Sequence, residues 1–147
     1  MVLASLSMLR AGETVRVKDD ARMTVRVLIV DDQEPFRLAA RMVVDATDGF
    51  EVVGESETGE DSIEKARSLG PDLVLMDVNL PGINGLDATR KILEGSNVRI
   101  VILLLSTYEE DEYAPRAAEC GAAAYIPKSA FGPDRLESAW AAAANAS

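Results

Sequence analysis

Apolar runs that stop abruptly at aspartate constrain this chain more than any other feature. Val25 to Val30 is β-branched and apolar apart from Arg26, and it halts at Asp31 and Asp32. A run without polar alternation is a strand buried on both faces. Phe36, Ala39, Ala40, Val43 and Val44 then recur at helical spacing, with Pro35 placed for the first turn and Gly49 for the stop. The alternation repeats. Phe50 to Gly54 is a second strand, and Gly59 to Leu69 a helix with Ile63, Ala66 and Leu69 on its inner face, closed by Gly70-Pro71. Leu73 to Met76 is a third strand finishing at Asp77, and the turn pairs Pro81-Gly82 and Asn84-Gly85 lead to a helix carrying Leu86, Ile92 and Leu93. Ile100 to Leu105 reads as a central strand. Glu109 to Cys120 is a weaker helix in which Pro115 predicts a late or distorted start, because proline lacks the N–H and crowds the preceding turn. Ala123 to Ile126 is a fifth strand. Leu136, Ala139, Trp140, Ala143 and Ala144 stripe a final helix with Pro133 at its start.

Five strands alternating with five helices imply an α/β, doubly wound parallel sheet covered on both faces, with ligands outside the carboxyl ends of the strands. Residues 1–23 have no clear period and read as a flexible N-terminal extension, which leaves residues 24–147 as one domain. The early apolar stretch is short and its first positive charge follows it, so it does not read as a signal peptide. No run approaches the length of a membrane span, and the chain reads as cytoplasmic.

Composition narrows the chemistry. The chain has 147 residues, a net charge of −10, and 48% hydrophobic residues, enough for one packed domain. The negative charge disfavours direct nucleic-acid or anionic-lipid binding. The one cysteine, Cys120, has no partner for a disulfide, and histidine is absent, so zinc sites and the usual general base are excluded. Chemistry here rests on carboxylates, hydroxyls, lysine or a hard metal ion.

The strand ends supply those groups. Asp31 and Asp32 follow the first strand, Asp77 the third, Ser106 and Thr107 the fourth, and Lys128 the fifth. Each alone has an ordinary reading: an Asp pair turns the chain into a helix, a serine caps one, and a lone lysine is solvated. Together they are the inventory of phosphate chemistry with Mg²⁺, which takes oxygen ligands, commonly one or two carboxylates with waters and phosphate oxygens.

At this point the chain resembles the receiver domain of bacterial two-component response regulators. The resemblance spans Val25 to about Ala146 and rests on VLIVDD ending at Asp32, LVLMDVNLPGINGL around Asp77, LLLSTY containing Ser106, and GAAAYIPKS containing Lys128. Asp32 and Asp77 are 45 residues apart, Asp77 and Ser106 29, and Ser106 and Lys128 22, intervals like the family's. It implies a flavodoxin-like (βα)5 fold with strand order 2-1-3-4-5. It makes Asp77 the phosphoacceptor, Asp32 a direct and Asp31 a water-mediated partner of Mg²⁺, and Asn79 a backbone-carbonyl ligand. Lys128 would pair with the phosphoryl oxygens, Ser106 would hydrogen-bond them, and Tyr125 would be the switch aromatic.

The partner implied is a sensor histidine kinase, with the last two βα units or the final helix as a homodimer surface. Phosphorylation would rearrange Glu109 to Pro115. Two departures stand out: the order Pro127-Lys128-Ser129, where the family more often has proline or an acidic residue after the lysine, and serine for the commoner threonine at 106. Many relatives continue into a helix-turn-helix DNA-binding domain. The expectation is therefore a receiver controlling transcription through a domain beyond Ser147 or through a partner. A haloacid dehalogenase-type phosphatase would want Asp-x-Asp after strand one rather than adjacent Asp31-Asp32. A phosphorylation-independent docking module, or pseudo-receiver, is the other alternative. Trp140 and Cys120 read as packing, and Glu109 to Glu112 as a solvated helix start.

Overall fold

A computed structural model of the protein describes residues 24–107 and 110–145, the side chains of residues 110–113 excepted. The extension read over residues 1–23 and the acidic position Glu109 lie outside the described residues. The elements are β1 (Val25–Val30), α1 (Glu34–Asp45), β2 (Phe50–Ser56), α2 (Gly59–Leu69), β3 (Leu73–Asp77), α3 (Gly85–Glu94), β4 (Val101–Ser106), α4 (Glu110–Cys120), β5 (Ala124–Pro127), a 3-10 turn (Lys128–Ala130) and α5 (Pro133–Asn145). The five strands are all parallel in the order β2-β1-β3-β4-β5, the topology the resemblance implies.

Successive side chains of a strand point to opposite faces, so a sheet covered twice needs apolar residues at every position. That is the origin of the unbroken runs. Leu28, Val30, Val74, Met76, Ile102 and Leu104 face one core, shared with α2, α3 and α4 through Ala66, Ile92 and Ala117. Val27, Ile29, Leu73, Leu75, Leu103 and Leu105 face the other, where α1 and α5 contribute Ala40, Val44, Leu136 and Ala143. Trp140 packs there edge-on against Phe50, ring centroids 6.3 Å apart, which is the packing role its helical stripe predicts. Leu104 is fully buried. Its replacement by alanine is expected to lower stability by about 2–5 kcal/mol in urea unfolding, through lost burial and the cavity left behind.

Several boundaries differ from the sequence reading. α1 ends at Asp45 rather than near Gly49, because the Thr47 hydroxyl donates to the Val43 carbonyl at 2.7 Å and closes the last turn. Strand β2 runs through Gly54 to Ser56. Gly54 does not end it: a side chain there would strike Leu69 Cδ1 at 2.6 Å, so the glycine admits the end of α2. The register between β1 and β2 also shifts between Val27 and Leu28. α4 is helical from Glu110, with Pro115 inside it at the sixth position, so its start is not delayed. Ala117 and Cys120 beyond the proline are buried, and that packing offsets the lost backbone hydrogen bond. Cys120 Sγ contacts the Ala117 carbonyl at 3.2 Å, consistent with a packing role. No helix among the described residues is long and apolar enough to cross a membrane.

Candidate functional site

Four parallel strands, β1, β3, β4 and β5, end at one edge. Asp31 leaves the end of β1 with its N–H donating to the Ser56 carbonyl at 3.0 Å, which fixes its direction. Its carboxylate is buried; Oδ1 accepts from the Gln33 N–H at 2.8 Å, a local turn that leads into α1. Arg37, one turn into that helix, donates Nη1 to the Asp31 carbonyl at 2.7 Å and pairs with Glu55 on β2 at 3.1 Å. Asp77 is the last residue of β3 and is buried, with Oδ1 accepting from the Asn79 N–H at 3.3 Å. Asp32 is exposed beside them.

Carboxylate oxygens of Asp31, Asp32 and Asp77 all lie within 4.8 Å of one another. Two unit charges about 4 Å apart at an effective dielectric of 20 repel by roughly 4 kcal/mol, so the group needs positive charge. Lys128 supplies one such charge. Its Nζ is 2.7 Å from Asp31 Oδ2 and 3.6 Å from Asp77 Oδ1. The balance remains negative, and Asp77 shows it: burial first, then the charges of Asp31 and Asp32, push its pKa up to about 6, against the opposing pull of Lys128 and the Asn79 N–H.

A hard divalent cation fits what remains. The donors are all oxygen, and buried Asp31 Oδ2 has the Lys128 ammonium as its ion partner but accepts no aligned hydrogen bond. Asn79, two residues after Asp77, follows the same loop.

Ser106 ends β4 fully buried and is paired in register with Pro127, so it and Lys128 arrive at this same edge. Tyr125 is different. It is buried among the residues under α2, α3 and α4 rather than at the rim. The predicted site residues Asp31, Asp32, Asp77, Asn79, Ser106 and Lys128 thus share one edge, with Tyr125 in the core below it. A cavity of about 220 Å³ between α2 and α3, lined by Gly70, Lys91 and Ile100 among others, lies at the opposite, amino-terminal edge of the sheet.

Three contributors escape sequence reasoning. Phe36 is assigned there to an apolar helical stripe, yet its ring lies under the ammonium of Lys128. Arg37 carries no motif of its own. Gly85 is read as a turn residue, but its N–H donates to the Val78 carbonyl at 2.8 Å and its α-carbon sits against the Asp77 backbone, where no side chain fits. The Asn84-Gly85 pair is the signal that marks it.

The family model for the response regulator receiver domain matches residues 27–141. The chain belongs to that family. Among curated relatives, this receiver is 45% identical over 106 residues to response regulator GacA of Pseudomonas viridiflava, covering 72% of this chain and 49% of the relative. It is 40% identical over 106 residues to response regulator UvrY of Escherichia coli K12, covering 72% and 48%. Among solved structures, a LuxR-family two-component response regulator from Aurantimonas sp. SI85-9A1 superposes with a TM-score of 0.75 at 30% identity, covering 82% of this chain and 86% of that one. The receiver spans about half the length of the curated relatives it matches. It is a module of two-component signal transduction.

Proposed function

We propose that residues 24–147 form a receiver that takes a phosphoryl group onto the Asp77 carboxylate in a Mg²⁺-dependent reaction. The observation that carries this reading is the cluster of three carboxylates at the carboxyl edge of the sheet, two of which, Asp31 and Asp77, share the Lys128 ammonium. An Asp77 oxygen forms the new bond to phosphorus while the bond from phosphorus to the donor atom breaks, and the electron pair leaves with the donor. No protein base is needed, because a group titrating at about 6 is already mostly ionised at neutral pH. Mg²⁺ would be held by the carboxylates of Asp32 and Asp77 and the Asn79 carbonyl, with Asp31 reaching it through water, and would supply positive charge beside the phosphoryl oxygens. Lys128 stands where it can exchange Asp31 for a phosphoryl oxygen. The Ser106 hydroxyl donates to another, and drawing the end of β4 toward the phosphoryl group changes the rotamer of Tyr125 on the neighbouring strand, which is in register with Leu104.

This chain has no histidine of its own, so a phosphohistidine donor lies on another molecule; membership of the receiver family makes that donor a sensor histidine kinase. The output is transcriptional control through a DNA-binding domain or partner, in the cytoplasm, with the last two βα units or α5 serving as a homodimer surface. The direct test is intact-mass spectrometry after incubation with acetyl phosphate and Mg²⁺. Wild type should gain one phosphoryl group and Asp77→Asn none. Gain in neither would favour the docking-module reading; gain in both would put the acceptor elsewhere.

A further inference from the structure

Lys128 has one neighbour that carries no charge. Its Nζ lies 4.4 Å from the centroid of the Phe36 ring, while the same ammonium pairs with Asp31 and Asp77. The face of an aromatic ring attracts a cation through its quadrupole, and the attraction grows when water is excluded. Here the lysine side chain is only 13% exposed. An ammonium has three N–H directions. Two carboxylates occupy two sides of it, and the ring closes a third.

Phe36 is itself held. It sits in the first turn of α1, where its N–H donates to the Gln33 carbonyl at 3.1 Å, directly after the Asp31-Asp32 pair. Its ring also packs on Phe131, centroids 6.4 Å apart. Phe131 closes the 3-10 turn that begins at Lys128, donating its N–H to the Lys128 carbonyl at 3.2 Å. The two rings therefore fix the lysine at both ends: Phe131 secures the backbone from which it starts, and Phe36 the ammonium in which it ends. A leucine at 36 would fill the same stripe without offering a π face.

We propose that Phe36 is a positioning residue for phosphoryl transfer, its ring face holding the Lys128 ammonium over the carboxylate edge where the phosphoryl oxygens arrive. This rests on the receiver chemistry proposed above, and the experiment separates the two. Wild type, Phe36→Leu and Phe36→Tyr are compared for the rate of phosphoryl uptake from acetyl phosphate and Mg²⁺, each also in a Lys128→Met background. Phe36→Leu should slow uptake about 5- to 30-fold and Phe36→Tyr should restore it to within about twofold. With Lys128→Met the leucine should add no further loss, because the ring acts only through the lysine.

Independently of any phosphoryl transfer, NMR of the cation-free protein should show the Lys128 ε-methylene protons shifted upfield by the ring current in wild type and Phe36→Tyr, and at ordinary positions in Phe36→Leu. Absence of that shift in wild type, or undiminished uptake in Phe36→Leu, overturns the assignment. So does a loss in Phe36→Leu that persists equally with Lys128→Met, which would mark a merely structural ring. Lack of uptake in wild type would instead overturn the receiver chemistry, and the NMR shift would still decide where the ammonium sits.

Discussion

Asp77→Asn should raise the thermal midpoint of the cation-free protein at pH 8, and the gain should vanish as the pH falls toward 4. The cause is burial of a carboxylate beside Asp31 and Asp32, which lifts the Asp77 pKa from 3.8 to about 6 in the fold. A folded state that holds its proton more tightly than the unfolded chain loses stability as the pH rises between the two values. At about 1.36 kcal/mol per pKa unit, the ionised group costs the folded protein roughly 3 kcal/mol above pH 6, a cost that disappears below about pH 4. Asparagine keeps an oxygen to accept from the Asn79 N–H, and Lys128 keeps Asp31 at 2.7 Å, so the substitution removes the strained charge without orphaning its neighbours. For a chain of this size the gain is on the order of 5–10 °C at pH 8. Scanning calorimetry of both proteins in chelator at pH 8 and pH 4.5 measures it. A midpoint unchanged at pH 8, or a gain equally large at pH 4.5, would show that the fold does not raise the Asp77 pKa by burial and by the charges of Asp31 and Asp32. Adding Mg²⁺ should stabilise wild type more than the variant, because a cation at this edge neutralises the very charge that asparagine deletes.

That prediction depends on positions the sequence reveals unequally. β1 and α2 are legible to the residue, since an unbroken apolar run ending at Asp31 and a helix between Thr58 and Gly70 carry their own boundaries: Thr58 caps the Asp61 N–H and Gly70 takes φ 58°. The carboxylate edge is legible for the same reason, each acidic residue being where a buried run stops. Side-chain partnerships across elements are not. Phe36 and Lys128 are 92 residues apart, and nothing local distinguishes a ring that packs from a ring that meets a cation. Gly54 looks like a strand end because its other role, admitting Leu69, depends on a helix that follows it. Pro115 looks like a helix start because local backbone chemistry says so, whereas burial of Ala117 and Cys120 keeps it inside α4.

Gly85→Ala should be the most damaging one-methyl change next to the site. A Cβ at this position would overlap the Asp77 carbonyl oxygen and stand 2.9 Å from both the Asp77 carbonyl carbon and Val78 Cα. These are backbone atoms at the end of a central strand, so no side chain can rotate aside. The Gly85 N–H to Val78 carbonyl bond at 2.8 Å ties the same two segments together, and the first turn of α3 can retreat only by breaking it. Retreat drags the loop from Val78 to Asn84 with it, including Asn79, whose N–H holds the Asp77 carboxylate. Overpacking of this kind costs about 3 kcal/mol where relaxation is blocked. Displacement of a reacting group by about 1 Å costs on the order of 100-fold in rate, so phosphoryl uptake should fall further than stability alone would suggest. Gly132→Ala is the matched control: nothing lies within 4 Å of the added carbon, and stability should stay within about 0.5 kcal/mol. Urea unfolding and acetyl phosphate uptake of the two variants decide the point. If Gly85→Ala unfolded and reacted like Gly132→Ala, the close approach of α3 to Asp77 would have no part in shaping the acceptor edge.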